Sequence, residues 1–347
     1  MKYRLYPLAN KLSRYFHPTP ELSSLAYDIQ VLSQEEVVDF PRVIMDPNDW
    51  DLITDYTDNN HMLIEKSRVL GGARRQSQTV RYQFKDVLAS PAGFHVFGGT
   101  YSGLFGHYLQ PIYKKIPEYD AGLYASTYVT SKFFGHWLTD GLATCLLRST
   151  DELPYLWHTA AWTHSARYKQ IFDVKTIDHD LAYFKEISFI DDIGMTQNRR
   201  DRLKLMNSKI RQFFKNTSNS NMVYLRRGKT GSPRPIVNED QLVERLQKQG
   251  FSIVDVSQPL HEVLNKCAGA NLTISMEGSH CSHLILSASP GAKHIIINQS
   301  DRFNNVFAEY MPALSAQMAT VVAQKQETGY IVNIDSLLRM ISRLHDL

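Results

Sequence analysis

Beyond residue 221 the chain alternates short apolar runs with amphipathic stretches. Residues 222–225 are apolar and end in Arg226-Arg227-Gly228. Residues 238–250 carry Leu242, Val243 and Leu246 on one helical face, with Asn238 as N-cap, Gln241 at the capping-box position and Gly250 as the stop. Residues 251–256 predict a strand. Residues 259–268 place Leu260, Val263, Leu264, Cys267 and Ala268 at the spacing of an amphipathic helix. A strand at 272–276, a turn at 277–279, a helix at 280–288 and a strand at 294–298 follow. This alternation with short connections predicts an α/β fold whose parallel sheet is wound both ways.

The preceding sequence is less regular. Residues 80–97 predict a β-rich meander with a turn at Ser90-Pro91-Ala92-Gly93, and 123–129 a strand. Residues 133–147 predict a helix with Phe134, Leu138, Leu142 and Cys145 on its apolar face. Strands are expected at 155–158 and 187–190, and a helix at 199–214. The run Asn216-Thr-Ser-Asn-Ser-Asn221 has no apolar residue and predicts a boundary between domains 1–215 and 216–347. Leu337, Leu338, Ile341 and Leu344 predict a closing helix within 333–347 that packs back on the body.

Composition bounds these elements. With 43% hydrophobic residues, 347 residues suffice for two cores. The balance of 38 basic and 35 acidic residues argues against a nucleic-acid partner. Cys145, Cys267 and Cys281 match no zinc or disulfide spacing and read as buried free thiols of a reducing compartment. The sequons at Asn216, Asn271 and Asn298 are expected to be unglycosylated. The N-terminal stretch lacks the apolar region of a signal peptide, and no run approaches the roughly 18 apolar residues of a membrane span. The expectation is a soluble, cytoplasmic protein whose basic, aromatic N-terminus also suits peripheral contact with the inner face of the membrane.

Candidate chemistry gathers where a parallel sheet puts its ligands, beyond the carboxyl ends of the strands. Arg226 and Arg227 end one strand. Glu277-Gly278-Ser279-His280 follows another, where Gly278 permits close backbone approach and a helix start favours an anion. Together they suit a diphosphate held without a metal. In the N-terminal region, Phe133-Phe-Gly-His-Trp-Leu-Thr-Asp140 puts His136 and Asp140 four apart on one helix face, a candidate general base and its orienter in either assignment. Glu309 is a candidate for ribose hydroxyls. The triplet Asp178-His179-Asp180 and the pair Asp191-Asp192 are weak metal motifs. The absence of H-E-x-x-H, G-x-S-x-G, Walker and G-x-G-x-x-G patterns argues against the enzyme classes that use them.

The stretch FFGHWLTD resembles the F-x-H-W-L-x-D helix of glycosyltransferase family 61, and two later blocks are similar to the same family. These are VYLRRG with Arg234-Pro-Ile-Val-Asn-Glu239 and LVERLQKQGFSIVDV, then the helix–turn–helix–Pro-Gly pattern of residues 260–291. The resemblance spans about residues 75–325. One departure is Glu277-Gly278-Ser279 where the family reads H-G-A; His280 or His283 is a candidate replacement imidazole. The resemblance implies a GT-B architecture, two Rossmann-like lobes with parallel sheets facing across a cleft. It implies an inverting transfer from a nucleotide sugar, commonly UDP-linked, to a glycan or glycolipid in capsular or cell-surface polysaccharide synthesis. No cofactor is expected. The alternative is a catalytically inactive glycan- or partner-binding module on the same fold.

Overall fold

A computed structural model describes residues 2–18, 20–57, 61–90, 93–102, 109–158, 162–177, 179–214, 220–228, 231 and 233–346. The chain divides into two units. Residues 1–36 and 77–202 form the first, and 37–76 with 203–347 the second. The expected division at 215/216 therefore becomes one between Arg202 and Leu203, inside a helix at Gln197–Phe213. An early segment also joins the C-terminal unit. Its reason is local: Ile44 lies in parallel register with Ala319, and the Ile44 and Thr320 amides donate to Met318 O and Ile44 O. Of the polar run at 216–221, only Ser220 and Asn221 are among the described residues.

The first unit is built on seven strands: β1 Asp28–Ser33, β2 Thr79–Ser90, β3 Gly93–Val96, β4 Gly99–Ser102, β5 Glu118–Tyr124, β6 Leu153–Tyr155 and β7 Ala182–Asp191. Their order is β4-β3-β2-β7-β5-β6, with β1 also paired to β2. This corrects the expected Rossmann-like first lobe. Only β5 runs parallel to β6 and β7, whereas β1–β2, β2–β3, β3–β4 and β2–β7 are antiparallel. The short connections between β2, β3 and β4 leave no room for the crossover that parallel pairing needs. Phe84, Val87, Phe94, Tyr124, Tyr155, Phe184 and Phe189 fill the core. The expected meander turn at Pro91-Ala92 lies outside the described residues.

The second unit matches its pattern closely. Strands β8 Met222–Arg226, β9 Ser252–Asp255, β10 Leu272–Met276, β11 Lys293–Gln299, β12 Gln317–Gln326 and β13 Gly329–Ile331 form a sheet in the order β9-β8-β10-β11-β12-β13. All neighbours are parallel except β12 and β13. Helices α1 Glu239–Lys248, α2 Leu260–Cys267, α3 Cys281–Ser287 and α4 Ile334–His345 bury Leu242 and Leu246, Val263 and Leu264, Leu284 and Ile285, and Leu337, Met340, Ile341 and Leu344. The strand order reverses between β8 and β10, the kind of switch point at which open parallel sheets bind their ligands.

One local expectation resolves differently. Asn238, the expected cap of α1, makes no side-chain cap bond there. Instead its amide Nδ2 donates to Val332 O at 2.9 Å, while Val332 N donates to Oδ1 at 3.1 Å, so it pairs like a peptide group with a residue just before α4. Asn333 does cap α4, accepting from Ser336 N. Cys145, Cys267 and Cys281 are buried free thiols, each pushed up to about 12 by burial.

Candidate functional site

The first constellation lies wholly in the first unit. The predicted helix at 133–147 is broken into Phe134–His136, a π-helical stretch Trp137–Gly141, and Leu142–Cys145. The π geometry widens the helix where Trp137, Leu138 and Thr139 are buried, a feature that recurs at functional sites. His136 Nδ1 lies 2.6 Å from Asp140 Oδ2, and both side chains remain partly open to solvent. Arg199, absent from the sequence reasoning, donates through Nη2 to Asp140 Oδ1, and Thr139 Oγ1 donates to the same oxygen at 3.2 Å. Arg199 is itself positioned through Nη1 by the Asp192 and Ile193 carbonyls. Asp192, one of the weak metal candidates, instead accepts with both its oxygens from Arg202 at 2.7 Å. Asp140 thus has one oxygen on a guanidinium and one on an imidazole. A carboxylate so engaged is a poor base and a good orienter, because both partners stabilise its charge.

The second constellation forms at the β8/β10 switch point of the second unit. Glu277 directly follows β10, and its side chain is 6% exposed. Its Oε2 accepts from Arg234 Nη1 at 2.7 Å and from Arg302 Nη1 at 3.0 Å. Its backbone carbonyl accepts from Arg227 Nη1 at 3.1 Å and from Arg234 Nη1 at 3.0 Å, with Gln299 Nε2 at 3.4 Å. Three guanidinium groups therefore meet one glutamate, two at its carboxylate and Arg227 at its backbone carbonyl. Burial, then Arg234, pulls the Arg227 guanidinium below its ordinary value; burial, then Arg302 among its positive neighbours, does the same to Arg234. Among the described residues, the ion pairs of this cluster set the guanidinium groups of Arg234 and Arg302 against the single carboxylate of Glu277.

Gly278 and His280 fit around this cluster. A Cβ on Gly278, whose φ is +153°, would stand 1.9 Å from Arg227 Nη1 and 3.1 Å from His280 Nδ1, so only glycine lets that guanidinium lie against the turn. Ser275 Oγ donates to Leu225 O at 2.7 Å and so has its lone pairs for His280 Nε2 at 2.9 Å, which makes Nε2 the protonated nitrogen. Burial, with Arg227 next, drives His280 well below its ordinary 6.5, and the ring is neutral. His283 is buried on α3.

The remaining candidates sit apart from these groups. Arg226 is the last residue of β8, where successive side chains alternate between faces. It turns to Glu239 Oε2 at 2.9 Å, whose other oxygen accepts from Tyr224 OH. Arg226 and Arg227 therefore do not close on one point. Ser279 follows Gly278 in the turn before α3. Glu309 accepts from Arg68 Nε at 3.1 Å and Arg74 Nη1 at 2.9 Å, in a network that also ties Arg68 to the buried Glu65. Asp178 lies outside the described residues, and Asp180 accepts from Trp157 Nε1. Among the described residues, no group of three or more His, Cys, Asp or Glu side chains is gathered as a metal ligand set.

Arg234 and Arg302 went unassigned in the sequence, although each lies past the end of a strand. Applying the carboxyl-end rule to β11 as well as to β8 and β10 points to Arg302, which follows Gln299 closely. No curated protein matches the chain. Residues 134–296 match the family model described as Glycosyltransferase 61, a stretch that runs from the His136 helix through Arg227, Arg234 and Glu277, and this match supports a glycosyltransferase family 61 assignment.

Proposed function

We propose that the chain is an inverting glycosyltransferase that moves a sugar from a UDP-linked donor to a glycan acceptor in cell-surface or capsular polysaccharide synthesis. The observation that carries this reading is the convergence of Arg227, Arg234 and Arg302 on Glu277 at the β8/β10 switch point. A diphosphate brings the negative charge that this cluster lacks, and guanidinium forks match its oxygens. His136, oriented by Asp140, takes the proton of the acceptor hydroxyl. The acceptor oxygen forms a bond to the anomeric carbon while the carbon–oxygen bond to the diphosphate breaks. The electron pair leaves with the diphosphate, and the arginines stabilise its charge. With the cationic groups already supplied by the chain, the transfer proceeds without a metal cofactor.

Glu277 itself supports the second reading, an inactive module, because its carboxylate already occupies the arginines. A thermal-shift panel separates the two. UDP and UDP-sugars should raise the melting temperature, with UMP weaker, and the response should survive EDTA, since a ligand that binds only the folded state stabilises it. No response to any nucleoside diphosphate favours the inactive module. Loss of the response in EDTA, restored by Mn²⁺, overturns metal-free binding.

A further inference from the structure

A surface of the first unit lies outside all of this chemistry. The helix Tyr6–Ser13 is pinned by Asn10, whose buried amide donates to Val96 O at 2.9 Å, Gly99 O at 2.6 Å and Thr100 Oγ1 at 3.0 Å. Arg4 Nη1 donates to Pro111 O and Lys114 O, both at 2.9 Å. These bonds join residues 2–17, the β3–β4 hairpin and the short helix Gln110–Tyr113 into one face. Because Tyr3, Pro7 and Asn10 turn inward, the opposite side is presented to water. It carries Leu5 and Leu12, two helical turns apart, then Tyr15 at 76% and Phe16 at 80% exposure. Phe97, at the turn of the hairpin, is 84% exposed, and Leu109, Ile112 and Tyr113 are exposed beside it. Contiguous apolar surface of this kind marks an interaction site.

The charge on this face selects the partner. Residues 2–17, 93–102 and 109–117 contain no Asp or Glu, yet they hold Lys2, Arg4, Lys11, Arg14, Lys114 and Lys115. The whole chain has a net charge of only +3, so the asymmetry is local. Bordering carboxylates are engaged: Glu118 accepts from Tyr3 OH, Asp86 from Tyr183 OH, and Asp180 lies 3.7 Å from Lys114 Nζ. Aromatic rings and long basic side chains around an apolar stripe suit the boundary between lipid headgroups and acyl chains, where rings insert and cationic heads remain at the phosphates. No helix among the described residues is long and apolar enough to cross a membrane, so such contact is peripheral. We propose that this face, led by Phe16 and Phe97 and ringed by Lys11, Arg14 and Lys115, docks on an anionic lipid surface.

The test is cosedimentation of the full chain with phosphatidylcholine vesicles, with and without phosphatidylglycerol. Wild-type protein should bind the anionic vesicles and release as salt rises. The double variant Phe16→Ser/Phe97→Ser should lose at least about tenfold in partitioning, as should Lys11→Glu/Lys115→Glu, since each basic residue near the surface is worth about fivefold. Both variants change exposed side chains, so their melting should match wild type. Three results overturn the proposal: no binding to either vesicle, variants that bind like wild type, or a concentration-dependent dimer that the variants abolish. The last assigns the face to a second copy of the chain. The thermal response to UDP is read separately, so failure here leaves that reading distinguishable.

Discussion

Both constellations are built on a carboxylate held by arginine, and they differ in what surrounds it. Asp140 has Arg199 on one oxygen and His136 on the other, so one positive and one negative charge flank a titratable ring. Glu277 has Arg234 and Arg302 on one oxygen, with Arg227 on its carbonyl, so positive charge is in excess. The first arrangement suits the handling of a proton, because a balanced ion pair fixes an imidazole without changing the net charge. The second suits an anion, because guanidinium groups outnumber the carboxylate they share. The same residue types thus suit two chemistries, and the count of guanidinium groups per carboxylate separates them.

The largest expected effect comes from removing the proposed proton acceptor. His136→Ala should lower kcat by roughly 10²–10⁴-fold, the scale of a lost general base, while the UDP-induced melting shift stays unchanged. Asp140→Asn should also lower kcat, but by less, because the ring survives without its charged orienter. Steady-state kinetics with a donor-binding control checks both. A larger loss in Asp140→Asn than in His136→Ala reverses the assignment of base and orienter. Normal turnover in both reduces the pair to a helix-surface hydrogen bond.

The anion side should respond in binding. Arg227→Ala and Arg234→Ala should each cost roughly 2–5 kcal/mol in kcat/KM, as for a charge contact that loses its partner, and should weaken UDP binding. Arg226→Ala should cost under about 1 kcal/mol, since that side chain forms a partly exposed pair with Glu239. Glu277→Gln moves in the opposite direction. A neutral amide competes less well than a carboxylate for the arginines, so UDP should bind about tenfold tighter, the difference between charged and neutral hydrogen bonds. Titration calorimetry with UDP measures all four variants. Weaker binding in Glu277→Gln would make the carboxylate a support for the arginines rather than a competitor for them.

Legibility in the sequence follows the same division between the units. The central strands of the second unit are buried on both faces, so Val223-Tyr-Leu225 and Ile295-Ile-Ile297 read as unbroken apolar runs, and Leu272 to Met276 is broken only by the small Thr273 and Ser275, with helices between them. In the first unit β2 places Arg81, Gln83 and Lys85 among its apolar residues and has an antiparallel partner, β7, far along the chain, which no local pattern encodes. The sequence pattern locates the helix at His136 but not its π stretch. Phe134, Leu138 and Leu142 keep the four-residue spacing that an ordinary α-helix also gives, so the π stretch leaves no separate mark in the pattern. His136, Asp140, Arg227 and Glu277 could be found because each adjoins a regular element. Arg199 and Arg234 could not be assigned partners, because their contacts span 59 and 43 positions.

A third carboxylate sharpens the comparison, at the smallest expected effect. Asp49 is buried in the second unit and accepts from Val322 N at 3.2 Å, but among the described residues it has no ion-pair partner. Burial pushes its carboxyl up from 3.8 to about 6. For an acid raised in the folded state, the charged form is the disfavoured one. Above about pH 6 the native protein carries that penalty in full, and as pH falls from about 6 toward 4 the native carboxyl protonates before the unfolded one, so stability is regained. Asp49→Asn is neutral throughout and keeps an oxygen for Val322 N. It should therefore exceed wild type by about 1–3 kcal/mol at about pH 8, with the gain shrinking below about pH 6 and gone near about pH 4. The buried imidazoles work in the other direction. His280 is held well below 6.5, His294 at about 4 and His95 at about 3, chiefly by burial, so both proteins lose stability as pH falls below 6.5. That loss is common to variant and wild type and cancels in their difference, which denaturant melts across the range measure directly. A gain that persists unchanged in acid would place its source in packing rather than charge. A gain that follows the expected curve shows what Glu277 and Asp140 would cost without their arginines.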